Sequence, residues 1–79
     1  MVTERTDILL GAEIFAVCKK KAKSIPELTK EIYGNKYAKN IYRVYCVTEI
    51  LMSNELIVPI FKNKILRFKV NINHEILKE

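Results

Sequence analysis

The sequence predicts an α+β fold, with three helices followed by a two-stranded β-hairpin in a single domain. Three observations predict it. Ser24 and Glu27 have the spacing of a capping box, Pro26 lies between them, and Gly34 follows, so one short helix has both a start and a stop signal. Residues 36–53 then hold apolar positions at helical spacing. Last, Leu66, Phe68, Val70 and Ile72 alternate with Arg67, Lys69 and Asn71, which is the period of a strand.

The first helix is expected over residues 3–23. Thr3 or Thr6 caps it, and Glu4 and Asp7 favour its positive N-terminal end. Placed at about 100° per residue, its apolar side chains fall on two arcs. One holds Ile8, Leu9, Ala12, Phe15 and Ala16, and the other Leu10, Ile14, Val17 and Cys18. A helix apolar on almost every side is buried on more than one, and a domain this small covers only one. Either the other helices wrap both arcs, or a second copy covers the second. The sequence favours the copy, which makes Leu10, Ile14, Val17 and Cys18 the expected homodimer interface.

The second helix starts at Ser24, carries the stripe Ile25, Leu28 and Ile32, and stops at Tyr33-Gly34-Asn35. A tight turn leads to the third helix, expected over 36–53 with Asn35 as its cap. Its inner arc is Tyr37, Ile41, Val44, Tyr45, Thr48, Leu51 and Met52. Its outer face is Lys36, Lys39, Tyr42, Arg43, Cys46, Glu49 and Ile50, with Asn40 at the boundary. In the hairpin, Leu56, Val58 and Ile60 are the expected partners of the second strand's apolar face. Pro59 implies an unpaired edge. Lys62-Asn63-Lys64 makes the turn, with Asn63 able to take positive φ. Residues 73–79 are a tail or a short helix.

The net charge of +5 is unevenly distributed. Glu4, Arg5, Asp7 and Glu13 leave residues 1–18 at −2, so residues 19–79 carry +7. Two acid-free segments concentrate it: 36–48, with Lys36, Lys39 and Arg43, and 62–69, with Lys62, Lys64, Arg67 and Lys69. Phosphate backbones select for such clusters, although lysines also serve solubility.

A helix, a tight turn, a longer helix and a basic hairpin together resemble the winged-helix family of DNA-binding proteins. Size and composition are similar to small winged-helix proteins of archaea and archaeal viruses. The resemblance covers residues 1–79 as one winged helix-turn-helix domain: 1–23 a dimerisation helix, 24–53 the helix-turn-helix, 56–72 the wing. It implies sequence-specific binding of double-stranded DNA by a homodimer, hence transcription regulation. A short additional strand between the first two helices is also expected. The chain departs from the family at Glu55, where glycine is common, and Asn54 is the alternative left-handed residue.

Within this expectation Arg43 pairs with guanine and Asn40 with adenine. Lys36 and Lys39 hold phosphates, which position without specifying. Tyr42 packs on a sugar or a thymine methyl. Lys62, Asn63, Lys64 and Arg67 touch phosphates or one edge of a minor groove.

Other functions find less support. Nothing resembles a catalytic constellation, a phosphate loop or a small-molecule substrate site, so no enzyme activity or cofactor is expected. Cys18, Cys46 and His74 make three soft ligands where structural zinc takes four, so no metal is expected. The cysteines are either small buried residues or disulfide partners, with Cys18–Cys18 across a dimer axis the version to test. No secretory signal or membrane span is legible, which places the protein in the cytoplasm, that of the host for a virus. A membrane-surface helix ending in Lys19, Lys20, Lys21 and Lys23 is disfavoured, because apolar residues surround that helix. The main alternative is a winged helix used for protein–protein contact.

Overall fold

The computed structural model describes residues 6–72. Thr3, Glu4, the tail 73–79 and His74 lie outside the described residues. Three helices precede an antiparallel hairpin: α1 (Asp7–Lys20), α2 (Ile25–Tyr33), α3 (Ala38–Ser53), β1 (Ile57–Lys62) and β2 (Ile65–Val70). This is α+β, with the topology of a winged helix-turn-helix.

Helix α1 starts where Thr6 Oγ1 accepts the Leu9 N–H at 3.1 Å. It ends at Lys20, three residues before the expected limit, because the next residues are extended and serve another element. Lys23 N–H donates to Phe68 O at 3.1 Å, and Phe68 N–H to Lys23 O at 2.8 Å. Where an additional strand was expected between the first two helices there is, among the described residues, only this single bridge, and the sheet keeps two strands. The bridge also explains Pro59. Phe68 turns its backbone groups toward Lys23, so its register partner Pro59 turns its own toward the open edge, where a missing N–H costs nothing.

Helix α2 forms as its termini dictate. Glu27 N–H donates to Ser24 Oγ at 3.3 Å, and Ser24 N–H donates to Glu27 Oε1 at 2.8 Å. Gly34 closes the helix at φ 81°. Asn35 is not the direct cap of α3, a position Tyr37 occupies without a side-chain bond. Its Oδ1 instead accepts from Tyr37 N–H at 3.0 Å and Asn40 Nδ2 at 2.8 Å, and so braces the start of the helix.

Two expectations of phase are corrected in α3 and the hairpin. The inner arc of α3 is Val44, Val47, Thr48 and Leu51, while Tyr37 and Tyr45 are exposed. Valine and leucine bury no polar atom; the tyrosines keep their hydroxyls in water, that of Tyr45 donating to Glu49 Oε2 at 3.0 Å. In the hairpin the partners are Ile57↔Val70, Pro59↔Phe68 and Phe61↔Leu66, one residue off the expected set. A two-residue turn imposes that register. Asn63 at φ 55° and Lys64 at φ 65° form it, both left-handed, the conformation that suits the twist of a hairpin.

Glu55, not Asn54, takes the left-handed position after α3, at φ 60°. Leu56 N–H reaches Leu51 O and Glu55 N–H reaches Met52 O, each at 2.9 Å, which is a Schellman closure. Asn71 Nδ2 donates to Glu55 O at 2.9 Å and ties the return strand to this corner.

The core gathers Leu10, Ile14 and Cys18 of α1, Leu28 of α2, Val44, Val47 and Leu51 of α3, and Ile57, Phe68 and Val70 of the hairpin. This overturns the expected dimer interface. Leu10 and Ile14 are wholly buried inside the protomer, Cys18 nearly so, and Val17 packs against the same cluster. Of the other arc, Phe15 packs against the core and the rest is left in water: Ile8 is 88% exposed, and Leu9, Ala12 and Ala16 are exposed beside it. Gly11 lies against Val47 and Leu51, and Asp7 bonds Arg43, which sets the rotation of α1.

Candidate nucleic-acid interface

The expected DNA-facing residues fall into two clusters, one at the start of α3 and one at the tip of the wing. Lys36, Lys39 and Tyr42 are exposed, Tyr42 to 68%. The Tyr42 hydroxyl shares a hydrogen bond with the Cys46 thiol, which raises its pKa above the ordinary phenol value. Tyr45 is raised in the same direction by its bond to Glu49. Both therefore remain neutral donors at physiological pH.

Three of the expected readers are already engaged within the chain. Arg43 Nε and Nη2 both donate to Asp7 Oδ1, at 3.3 and 3.1 Å, tying α3 to the first turn of α1. Asn40 spends its amide on Asn35. Arg67 Nε donates to Glu27 Oε1 at 3.2 Å, joining the wing to the cap of α2. The Ser24 backbone N–H and then Arg67 hold the Glu27 carboxyl down at about 2, well below its usual range. Sequence alone did not reveal these pairings, since the partners are 36 residues apart for Asp7 and Arg43 and 40 for Glu27 and Arg67.

The tip is built differently. Lys62, Asn63 and Lys64 are exposed on the left-handed turn, which holds them in a fixed order. Among the described residues, no ion pair draws on Lys36, Lys39, Lys62 or Lys64, while Asp7, Glu27 and Glu31 are matched by Arg43, Arg67 and Lys23. Arg43 and Arg67 thus staple the fold, while Lys36, Lys39, Lys62 and Lys64 are left to the solvent. Phe61, Ile65 and Leu66, which the sequence reading did not single out as functional, are also exposed at the tip. Phe61 adjoins Lys62, and that adjacency was the available signal.

Cys18 is a buried free thiol whose pKa burial pushes up to about 11, which disfavours the thiolate, and its side chain is spent on the core in place of the expected bond across a dimer axis. Cys46 is free and half-buried. Among the described residues no three metal-ligating side chains come together, and no helix is long and apolar enough to cross a membrane. No protein-family model, curated protein or solved structure matches this chain.

Proposed function

We propose that this protein binds double-stranded DNA as a homodimer and thereby regulates transcription, with the first half of α3 and the wing tip on the duplex. One observation carries the reading: the exposed lysines at 36, 39, 62 and 64 lie outside the ion pairs that neutralise nearby carboxylates. Cations left in water at two separate projections favour a polyanion that runs past both. The four lysines position the backbone, and Tyr42 is the exposed α3 side chain beside them for base or sugar contact. Arg43 reads a guanine only if the duplex displaces Asp7, an exchange of one charge-assisted contact for another.

The second copy docks on the outward arc of α1, Ile8, Leu9, Ala12 and Ala16, and not on the arc first expected. Exposed apolar surface of that kind on one helix favours self-association. Ile8→Glu is then expected to yield a folded monomer in sedimentation, whereas Ile14→Glu unfolds the chain by burying a charge.

The test is selection of bound sites from random duplexes, followed by affinity against salt. A palindromic site is expected, its half-sites about 34–36 Å apart, with affinity falling steeply as salt rises. Lys62→Ala or Lys64→Ala should flatten the salt slope by about one unit at every sequence. Salt-insensitive or undetectable binding would sink the DNA reading. It would favour the alternative, a protein-contact module, for which one observation speaks. The second half of the α3 outer face is cation-free and exposes Tyr45 and Ile50.

A further inference from the structure

The outer half of the wing carries apolar side chains that none of the described residues covers. Phe61 and Leu66 are register partners and share a face with Ile57–Val70 and Pro59–Phe68. Nearer the helices that face is core, with Ile57, Phe68 and Val70 buried. One step outward it is bare, with Phe61 71% exposed and Leu66 exposed beside it. At about 3.4 Å per residue the Phe61–Leu66 pair stands about 7 Å beyond the Pro59–Phe68 pair, whose Phe68 is the outermost buried residue of the wing. A paired strand and a tight turn hold it there, so it is presented by a stiff ribbon.

The charge around this pair points to its occupant. Lys62 and Lys64 are exposed within three residues of Phe61, and residues 62–69 contain no acid. An apolar blade framed by lysines matches a surface that is anionic at its rims and apolar between them. A base step of a duplex has that form, with phosphates on either side of stacked rings. Phenylalanine and leucine serve as wedges of this kind, partly unstacking a step and kinking the helix.

We propose that the wing is a DNA-deforming wedge, in which Phe61, backed by Leu66, enters a base step from the minor groove while Lys62 and Lys64 hold the flanking phosphates. This rests on the duplex binding proposed above and deepens it, because it adds a bend to the bound state and a preference for easily unstacked steps. Pyrimidine–purine steps, which unstack most readily, are then the favoured wing contact even where no side chain reads a base edge.

The experiment uses the full chain and a selected duplex carrying 2-aminopurine at successive steps beside the half-site, with donor and acceptor dyes at the duplex ends. With the wild type, 2-aminopurine is expected to brighten at one step and the ends to report a bend of about 20–90°. Phe61→Ala should lose both signals and weaken binding roughly tenfold, about 1.4 kcal/mol, with the salt slope unchanged. Phe61→Leu should keep part of both. Lys64→Ala should flatten the salt slope and keep the unstacking signal at saturation. Circular dichroism on each variant checks that the fold is intact. Undiminished brightening and bend in Phe61→Ala would overturn the wedge while leaving duplex binding in place. Salt-insensitive or absent binding by the wild type would overturn both. Loss of binding to phosphatidylserine vesicles, or of dimer mass in sedimentation, as the sole effect of Phe61→Ala would assign the tip to lipid or to a second copy and overturn the wedge.

Discussion

At the root of the wing, Ile57, Phe68 and Val70 are buried against the helices, whereas at its tip Phe61, Ile65 and Leu66 stand in water. Both halves belong to one ladder with one register, and both are rich in strand-forming apolar residues. The difference lies in what faces them. The root meets α1 and α3, and Lys23 bonds Phe68 from the far side. The last attachment before the tip is Arg67 on Glu27. Period-two alternation therefore specifies a strand, but burial is conferred by neighbouring elements, and an apolar strand that outruns them becomes a surface for something else.

Substitution should separate the two halves most sharply at their phenylalanines. Phe68→Ala is expected to lower stability by about 3–5 kcal/mol, a large part of what so small a domain possesses. Phe61→Ala should stay within about 0.5 kcal/mol. Urea midpoints of the two variants make the measurement, and comparable losses would erase the distinction between root and tip.

Acid should loosen the boundary between them, with a smaller effect. Glu27 has a folded pKa of about 2 against an ordinary 4.5. A depressed carboxyl contributes stability that is complete above its unfolded value and lost as pH falls through the folded one. The window is thus roughly pH 4.5 down to 2. Because the Glu27 side chain is 42% exposed, solvent screening limits the loss to about 1 kcal/mol. Arg67→Gln should raise the Glu27 midpoint only in part, since the Ser24 backbone N–H is the larger cause. An NMR titration of the Glu27 carboxyl decides it, and an unchanged midpoint would remove Arg67 as the wing's last tether.

The smallest effect expected is at the hinge. Glu55 occupies a left-handed conformation that an L side chain resists. Glu55→Gly should stabilise the root by about 0.5–1 kcal/mol, seen as a higher melting temperature, and leave Phe61 exposure and the turn at Asn63 unchanged. A destabilised variant would show that the Glu55 side chain supports the corner.

Much of the chain was legible before folding because its signals are local. Ser24, Glu27 and Gly34 frame α2 within hydrogen-bond reach of their own backbone. Asn63 turns the hairpin, and Pro59 marks its free edge. These act over a few residues, where geometry leaves little choice. The candidate site was legible in outline only. Lys36, Lys39, Tyr42, Lys62, Asn63 and Lys64 are exposed as expected, whereas Arg43, Asn40 and Arg67 were read as open to a ligand and are bonded within the chain.

By itself, then, the sequence determined the three helices, the hairpin, the two acid-free basic projections and the existence of two apolar arcs on α1. Only the tertiary structure decided which arc is core, because both are apolar and helical periodicity is blind to which of two apolar sides finds a partner. That choice fell to Gly11 against Val47 and Leu51 and to Asp7 on Arg43, contacts between residues far apart in the chain. Register in the hairpin followed the same rule. Alternation allowed two pairings, and the turn's two left-handed residues selected the one that buries Ile57 with Val70 and leaves Phe61 and Leu66 outside.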